Sequence, residues 1–298
     1  MKKMTSVLIA MCIAFLLSSV PIYAAPQVKL IINSEILNPD SPPVVLNDST
    51  LVSLDSLKKL NLRLNWDAKQ KSVTVTTKGK KDKLVFKVGE KDAMFGDTKI
   101  ALETPVQLKN KRVMVPLRLV SEAFQSDIRW DKETNTIVIR SLDKANTYST
   151  LYTGDDLVSA RKIAVSLPII GENKLGNSKE LSYLQLYFPE GEVLRFYRVW
   201  GNLVSYYEVK NDVSYLVWEG VYSLTQPNTY IKENGTRPEP EKAEVYFEHA
   251  RDSNDVAYGR SKSGVVLKGE ANGSGEDTLP GMILPIPNEK RIDKMTLY

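Results

Sequence analysis

The feature that most constrains the fold of this chain is a segment that occurs twice, about sixty residues apart. Each copy runs from an apolar strand through an amphipathic stretch to a Trp-Asp pair and another strand. The matching stretches are 51–54, 62–67 and 72–75 in the first copy and 113–118, 128–131 and 136–139 in the second. This alignment places Leu54 against Leu117 and Trp66 against Trp130. Internal similarity of this length predicts a duplicated supersecondary unit.

The second copy predicts a short helix after Pro116. Proline suits the first turn of a helix because its missing N–H would be unsatisfied there and its φ is already close to helical. Arg118 and Glu122 stand four residues apart on this helix and are expected to pair. Apolar residues at spacings of three and four form a stripe that should be buried on one side: Leu117, Val120 and Phe124, with Ala123 beside them.

These residues resemble the N-terminal domain of copper amine oxidases, a stalk-like module of many secreted proteins of Gram-positive bacteria. The resemblance rests on Val-Pro-Leu-Arg at 115–118, Glu122, Phe124 and the Trp-Asp pair at 130–131. The first copy departs from the pattern, with Ser53 in place of Pro116 and Asp55 in place of Arg118. The resemblance covers residues 28 to about 140. It implies an α+β domain in which antiparallel strands wrap a short helix, with a role in spacing or adhesion and no catalysis.

The family name does not predict amine oxidase activity for this chain. The catalytic domain of those enzymes, which the resemblance does not include, uses three histidine ligands and a quinone made from a tyrosine that follows asparagine. This sequence has one histidine, His249, one cysteine, Cys12, and no Asn-Tyr dipeptide. Because a copper site needs several imidazole or thiolate donors, we predict no copper and no other cofactor. His249 is interpreted as a strand-end residue.

The first 24 residues predict a secretory signal peptide. Lys2 and Lys3 precede an uncharged apolar run over 7–20, and small residues follow at Ala24 and Ala25. The apolar run is shorter than the roughly 20 residues that a permanent membrane helix needs, and no later segment is longer. We therefore expect an extracellular chain that starts near Ala25, has no transmembrane segment and is either free or associated with the cell wall.

The charge balance argues against nucleic acid as a partner. The sequence has 40 basic and 36 acidic residues, a net charge of +4. Removal of Lys2 and Lys3 with the signal leaves 38 basic residues against the same 36 acids, a net charge of +2. A nearly neutral chain has no strong long-range attraction for a polyanion. The expected partner is a cell-envelope glycan or a protein.

Trp66 and Trp130 have two interpretations. They could stack on a ligand, but their equivalent positions after the helical stretch favour core anchors that close the helix onto the sheet. On this interpretation Trp130 is expected to be buried against the helix that contains Val120 and Phe124. The repeated domain is predicted to span residues 25–142.

A second domain, rich in β-structure, is predicted over residues 143–298. It should begin with one short helix capped near Asp156. A mainly antiparallel meander follows, because alternating apolar stretches are separated by short turns. The predicted strands are 181–188, 193–200, 203–209 and 213–218, with weaker strands at 243–249 and 265–268. The tail over 270–287, rich in glycine, proline and asparagine, is expected to be loop-like or partly disordered. No family resemblance is evident in this half.

Strand alternation divides the predicted meander into two faces. One face is an ordinary core made of Leu184, Leu186, Phe188, Leu194, Phe196, Val204, Tyr206, Leu216 and Trp218. The other is polar and aromatic, a composition that suits a glycan or an extended peptide, and is the candidate ligand face. It comprises Tyr183, Gln185, Tyr187, Arg195, Tyr197, Ser205, Tyr207 and Tyr215. The alternative is that the helix or the later strands cover this face and the tyrosines only pack.

The sequence contains no recognisable catalytic motif. A nucleophile–base arrangement with histidine or cysteine is unavailable, and we predict a non-enzymatic protein in which a stalk presents a binding domain. The alternative is a carbohydrate-active enzyme with a carboxylate pair, which glycosidases place roughly 5 to 9.5 Å apart. Four carboxylates of the second domain are candidates for such a pair, although a role in surface solubility is favoured for them: Glu190, Glu192, Glu208 and Glu219.

Overall fold

The structure is a computed structural model that describes nine stretches of the chain. They are residues 28–38, 42–46, 49–77, 83–171, 173–176, 183–226, 229–250, 253–271 and 278–295. The predicted signal peptide lies outside these residues. The described chain is mainly β-structure in several sheets, nearly all antiparallel, with a few short helices. This confirms the predicted β-rich α+β class.

The first half of the chain forms three small sheets around one short α-helix, α1 (Leu117–Phe124), and one 3-10 helix, η1 (Leu54–Leu60). The strands are β1 (Lys29–Ile32), β2 (Glu35–Leu37), β3 (Val44–Leu46), β4 (Ser49–Ser53), β5 (Leu62–Asp67), β6 (Ser72–Thr77), β7 (Lys83–Lys87), β8 (Asp92–Phe95), β9 (Thr98–Ala101), β10 (Gln107–Lys109), β11 (Arg112–Pro116), β12 (Asp127–Asp131) and β13 (Thr136–Arg140). The sheet orders are β12-β13-β1-β2, β10-β11-β4-β3 and β5-β6-β7-β8-β9. β1 lies parallel to β13 and joins the start of this half to its end.

Helix α1 begins where its sequence predicts. Pro116 ends β11 and precedes the helix with an extended backbone, one position before the predicted first turn. The buried part of the helix is wider than a one-sided stripe, because Leu119 and Ser121 are buried as well as the predicted residues. The ion pair that the structure shows for Arg118 is with Glu103, at 3.6 Å between Nη1 and Oε1, and not with the predicted Glu122.

Both copies of the repeated segment have the same order of elements. One reads β4, η1, β5, β6 and the other β11, α1, β12, β13. β4 and β11 pair with each other, with Val52 opposite Val115. In the first copy Ser53 replaces the proline and caps η1, since its hydroxyl accepts a hydrogen bond from the Ser56 N–H at 3.3 Å. Duplication of the unit stays a prediction.

The prediction that Trp66 and Trp130 are buried anchors is wrong. Each side chain is 39 % exposed. Trp130 points to the same side of β12 as Ile128, which packs on the core, but it lies two residues further along the strand. Two strand residues span roughly 7 Å. Trp130 therefore lies at the rim of the core.

The second half contains one nine-stranded sheet with short helices on one side. Its strands are β14 (Ile169–Ile170), β15 (Tyr183–Pro189), β16 (Arg195–Trp200), β17 (Leu203–Lys210), β18 (Val213–Tyr222), β19 (Tyr230–Gly235), β20 (Glu244–Ala250), β21 (Asp255–Arg260) and β22 (Val266–Glu270). Its helices are η2 (Leu142–Lys144), α2 (Ala145–Tyr152), α3 (Leu157–Val165) and α4 (Thr278–Gly281). The sheet order is β14-β18-β17-β16-β15-β20-β21-β22, and β19 also pairs with β18.

Two predictions for this half need correction. Helix α2 occupies a stretch that its polar composition left without a predicted helix, and it forms because Tyr148, Leu151 and Tyr152 are buried. The tail predicted over 270–287 is loop-like over 282–287, but helix α4 precedes this stretch and Met282, Ile283 and Ile286 are in the core. Residues 272–277 of the predicted tail lie outside the described residues. Predicted helix α3 is present and begins at Asp156, whose carboxylate accepts from the Ser159 N–H at 3.1 Å.

The buried apolar residues form two clusters. One contains residues between Leu30 and Ile139, and the other contains residues between Tyr148 and Ile286. The gap between them includes the predicted domain boundary, which stays a prediction. Within the part of the chain that the structure describes, no helix is both long and apolar enough to cross a membrane.

Candidate functional site

The candidate site is the face of the nine-stranded sheet that points away from α2 and α3. Cross-strand pairing places five aromatic side chains in a row across neighbouring strands. Tyr246 is opposite Tyr187, Tyr187 is opposite Tyr197, Tyr197 is opposite Tyr206, and Tyr206 is opposite Trp218. Directly opposed residues project to the same side of an antiparallel sheet. We call this surface the aromatic face: Tyr187, Tyr197, Tyr206, Trp218 and Tyr246.

The predicted ligand residues divide between the two sides of the sheet. Gln185 and Tyr183 follow the alternation of β15 and lie on the same side as Tyr187, and Arg195 shares the side of Tyr197. Tyr215 is opposite Glu208, which is opposite Arg195, so it also lies on this side. Ser205 and Tyr207 do not. Tyr207 is 6 % exposed, and its ring stacks on Phe196 in the core at 5.2 Å between centroids.

The error at Tyr207 has a geometric cause. The turn between β16 and β17 has two residues, Gly201 and Asn202, so that Trp200 is opposite Leu203. The residue numbers of two residues paired across such a turn differ by an odd number. Since Phe196 and the other even-numbered positions of β16 face the core, the odd-numbered positions of β17 face it too. A bulge between Tyr206 and Tyr207 shifts the register on β18, which brings Trp218 to the aromatic face instead of the predicted core.

Tyr187 and Tyr246 form a pair in the accessible part of the aromatic face, beside Tyr197, which is also half-buried. Their ring centroids are 6.2 Å apart with 33° between the ring planes, and both side chains are half-buried. Beside them the Gln185 amide donates to Glu248 Oε2 at 2.6 Å. Burial, together with the negative charges of Glu248 and Glu244, raises the pKa of Tyr187 to about 12. The Tyr187 hydroxyl therefore stays protonated near neutral pH and can donate a hydrogen bond.

A connecting segment covers another part of the aromatic face. Residues 236–243, which we call the strap, join β19 to β20. β19 pairs with the outer edge of β18 and β20 with the outer edge of β15, so the strap has to pass β18, β17, β16 and β15. Five strand spacings amount to roughly 24 Å, which eight extended residues can span. Tyr206 and Trp218 are each only 2 % exposed.

Arg195 holds the strap from the sheet side. Its guanidinium binds Glu192, three residues earlier, through Nε and Nη2. Glu241 of the strap accepts from Nη1 at 2.6 Å. The hydrogen bond to Glu192 and the charges of both glutamates outweigh the effect of burial and raise the pKa of Arg195 above its usual range.

Aromatic contacts hold the other end of the strap. The Arg237 guanidinium lies 4.3 Å from the centroid of the Tyr230 ring and 5.5 Å from that of Trp218. The Tyr230 ring meets Trp218 edge-on at 5.1 Å. The Trp218 indole N–H donates to Glu233 Oε2 at 3.0 Å.

The four carboxylates considered from the sequence occupy different environments. Glu190 binds Arg260, Glu192 binds Arg195, and Glu208 lies 3.5 Å from the Tyr206 hydroxyl. The expected surface role is wrong for Glu219, which is completely buried. Its Oε1 accepts from the N–H groups of Lys174 and Leu175, at 2.8 and 3.2 Å, and so fixes that loop to the sheet.

Sequence analysis missed several residues of this site. Tyr206 and Trp218 were assigned to the core, and Tyr246 and Glu241 were not considered. The alternation of Val245, Tyr246 and Phe247 could have identified Tyr246, since it predicts one tyrosine opposite the core face. His249, read as a strand-end residue, is the penultimate residue of β20, buried and opposite Leu184.

Comparison with known proteins identifies the first half only. No curated protein matches the chain. The C-terminal half matches no family model. The N-terminal domain of copper amine oxidases is their non-catalytic part. Residues 31–139 match the family model described as copper amine oxidase N-terminal domain, which confirms the resemblance over that stretch.

Proposed function

We propose that this chain is an exported, non-enzymatic protein whose N-terminal domain is a spacer and whose aromatic face binds a cell-envelope glycan. The family match supports a non-catalytic role for the first half, because that domain is non-catalytic in copper amine oxidases, and a spacer is such a role. The export step rests on the signal-like composition of residues 1–24.

The observation that carries the binding proposal is the accessible Tyr187–Tyr246 pair. Two neighbouring rings, 6.2 Å apart, give an apolar platform with hydroxyl groups at its edge. Gln185 and Glu248 beside it supply an amide and a carboxylate, which bind hydroxyl groups. Sugars present an apolar ring face and hydroxyl groups at once, so they fit this combination.

The charges near the platform favour an uncharged glycan over an anionic polymer. Glu244 and Glu248 are close enough to Tyr187 to raise its pKa. The pKa of Glu244 is itself raised, by burial first and by Glu241 second. A polyanion would be repelled by these carboxylates.

The experiment is a binding measurement on the purified chain without residues 1–24. We expect it to co-sediment with peptidoglycan and to bind soluble chitohexaose in a calorimetric titration, with little dependence on salt. Binding to a proline-rich peptide and to neither glycan would replace the glycan with a protein partner. Binding to anionic wall polymer alone, lost at high salt, would contradict the proposal.

A second candidate function, a carbohydrate-active enzyme, is favoured by one observation. Glu244 has a raised pKa beside Glu241, a carboxylate that Arg195 binds. A carboxyl group with a raised pKa beside a second carboxylate is the combination that glycosidases use. Release of reducing ends from chitohexaose or peptidoglycan, abolished in Glu244→Gln, would establish it in place of the binding protein.

A further inference from the structure

We infer that the strap is a displaceable cover over a second ligand subsite, formed by Tyr206, Trp218 and Arg195, and that the Arg195–Glu241 ion pair is its latch. The inference rests on the proposed function for the ligand class, a glycan. It adds residues that the accessible platform does not include.

The covered residues continue the platform. Tyr206 and Tyr197 are cross-strand neighbours with ring centroids 4.8 Å apart, and Tyr197 is in turn opposite Tyr187. Trp218 follows on the next strand, opposite Tyr206. The row of aromatic rings therefore runs under the strap without interruption. Removal of the strap would expose a longer surface of the same composition as the accessible part.

The strap is attached by side chains more than by backbone. Among the described residues, no backbone N–H or C=O group of 236–242 makes a backbone–backbone hydrogen bond. Pro238 and Pro240 have no N–H to donate. The first backbone bond is at the strap's end, where Ala243 O accepts from Glu190 N at 3.0 Å. A segment with so few backbone bonds opens at a smaller free-energy cost than the strands beside it.

The latch can open without leaving a buried charge unpaired. Arg195 keeps Glu192 as a partner when Glu241 leaves, because Glu192 binds Nε and Nη2 whereas Glu241 binds mainly Nη1, with a longer 3.5 Å contact to Nη2. The Arg195 side chain is 38 % exposed and the Glu241 side chain 15 %. Arg237 is itself exposed, its guanidinium lies over the rings of Tyr230 and Trp218, and it makes a long 3.8 Å contact with Glu233. Water can hydrate each charged group after opening.

The test compares the variant Glu241→Gln with a control, Glu239→Gln. Glu239 is an exposed strap residue two positions away, for which the structure shows no ion pair within the described chain. Hydrogen–deuterium exchange reports opening without any ligand. In Glu241→Gln we expect exchange of the Glu190 amide, which donates to Ala243 O at the end of the strap, to rise about fivefold, the shift that loss of a partly exposed ion pair produces. Exchange in β15 to β18 should stay unchanged, and Glu239→Gln should match the wild type.

Trp218 gives a second, ligand-independent readout. It is 2 % exposed, whereas Trp66, Trp130 and Trp200 are already 37–39 % exposed. Acrylamide should therefore quench an additional fraction of the fluorescence in Glu241→Gln only. Unchanged exchange and quenching in Glu241→Gln would overturn the inference, and so would faster exchange throughout the sheet, because the strap would then be an integral part of the fold.

Chitohexaose binding separates this inference from the proposed function. If both are right, Glu241→Gln should bind chitohexaose about fivefold more tightly, and replacing Trp218 by leucine in that variant should remove the gain. If exchange and quenching show that the strap opens but no variant binds chitohexaose, the strap is displaceable and the proposed function is contradicted. If the strap opens in Glu241→Gln but the affinity of this variant for chitohexaose is unchanged, the inference of a covered subsite is overturned.

Discussion

Arg140 and Asp212 form a buried, two-pronged ion pair that connects the two halves of the chain. Arg140 Nε lies 2.7 Å from Asp212 Oδ2, and Nη2 lies 2.8 Å from Oδ1. The two side chains are 4 % and 0 % exposed. Arg140 ends the last strand of the first half, and Asp212 is in the two-residue turn between β17 and β18. Tyr152 donates to Asp212 Oδ1 at 2.9 Å and completes its hydrogen bonding.

Further hydrogen bonds and ion pairs beside this contact also connect the two halves of the chain. The turn residues Asn211 and Asp212 both have left-handed backbones, as expected in a tight hairpin turn. The adjacent Asn211 amide donates to Asp131 at 2.6 Å, and the Lys210 amine lies 3.1 Å from the same carboxylate. A hinge at the predicted boundary near residue 142 would have to break all these bonds.

Asp212→Asn should destabilise the protein strongly. The change leaves the Arg140 charge buried with only Asp127 as a close partner, and uncompensated buried charges cost about 3 to 5 kcal/mol. Chemical denaturation measures the free energy of unfolding. Glu133→Gln is the control, because Glu133 contacts Lys210 at the same junction but is 84 % exposed, so little change is expected. Equal stability of the two variants would show that the pair does not join the halves.

Asp131→Asn should alter the acid side of the stability profile. Burial alone would raise the pKa of Asp131, but hydrogen bonds from Asn211, Thr134 and Lys210 outweigh it and hold the pKa well below its usual range. A depressed pKa contributes stability that is complete above the unfolded-state pKa near 4 and is lost as the pH falls through the folded-state pKa.

The difference in unfolding free energy between the wild type and Asp131→Asn should therefore be largest near neutral pH and shrink below about pH 4. Urea denaturation at a series of pH values measures it. A difference that is constant with pH would mean that ionisation of Asp131 does not stabilise the junction.

Trp130→Ala should cost about 2 kcal/mol, less than loss of a fully buried aromatic residue, because the ring is 39 % exposed. Phe124→Ala is the comparison. Phe124 is 5 % exposed and meets Phe95 edge-on at 6.0 Å, so its loss should cost roughly 3 to 5 kcal/mol. Thermal unfolding ranks the two. A greater loss in Trp130→Ala would restore the core-anchor interpretation.

Glu289→Gln should loosen the C-terminal tail from the second domain. Glu289 binds Arg161 through both oxygens, at 2.6 and 2.8 Å, and accepts from Gly191 N. With 1 % and 3 % of the two side chains exposed, loss of the charge should cost about 3 to 5 kcal/mol. Asp155→Asn, which removes an exposed pair with Lys294, should change the melting temperature little. Equal effects would indicate that the tail does not support the core.

Sequence patterns predict those helices whose position is determined by residues within the same segment. Helix α1 is found within one residue of its prediction, because Pro116 and the apolar spacing both act within the segment. Helix α2 could not be found in this way. Its polar composition offers a weak stripe, and Tyr152 is buried in a core cluster of distant segments, with its hydroxyl donating to Asp212, sixty residues later.

The candidate site was only partly predictable for a similar reason. Alternation is reliable within one strand, and it places Tyr187 and Gln185 together. It fails across the Gly201–Asn202 turn and the bulge near Tyr206, where the pairing depends on two strands at once. Glu241 is 46 residues from Arg195, and no local pattern connects them. The ligand role of the tyrosines stays a prediction.

The most direct test of the proposed function is chitohexaose binding by the double variant Tyr187→Ala/Tyr246→Ala, measured by calorimetry together with its melting temperature. Tyr258→Ala is the matched control, because Tyr258 is half-buried in the same sheet but stacks on Phe247 on the opposite face. The proposed function predicts that the double variant binds at least about tenfold more weakly while it stays folded, and that Tyr258→Ala keeps wild-type affinity. Wild-type affinity in the double variant, or its unfolding under these conditions, would contradict the claim that the aromatic face is a ligand surface.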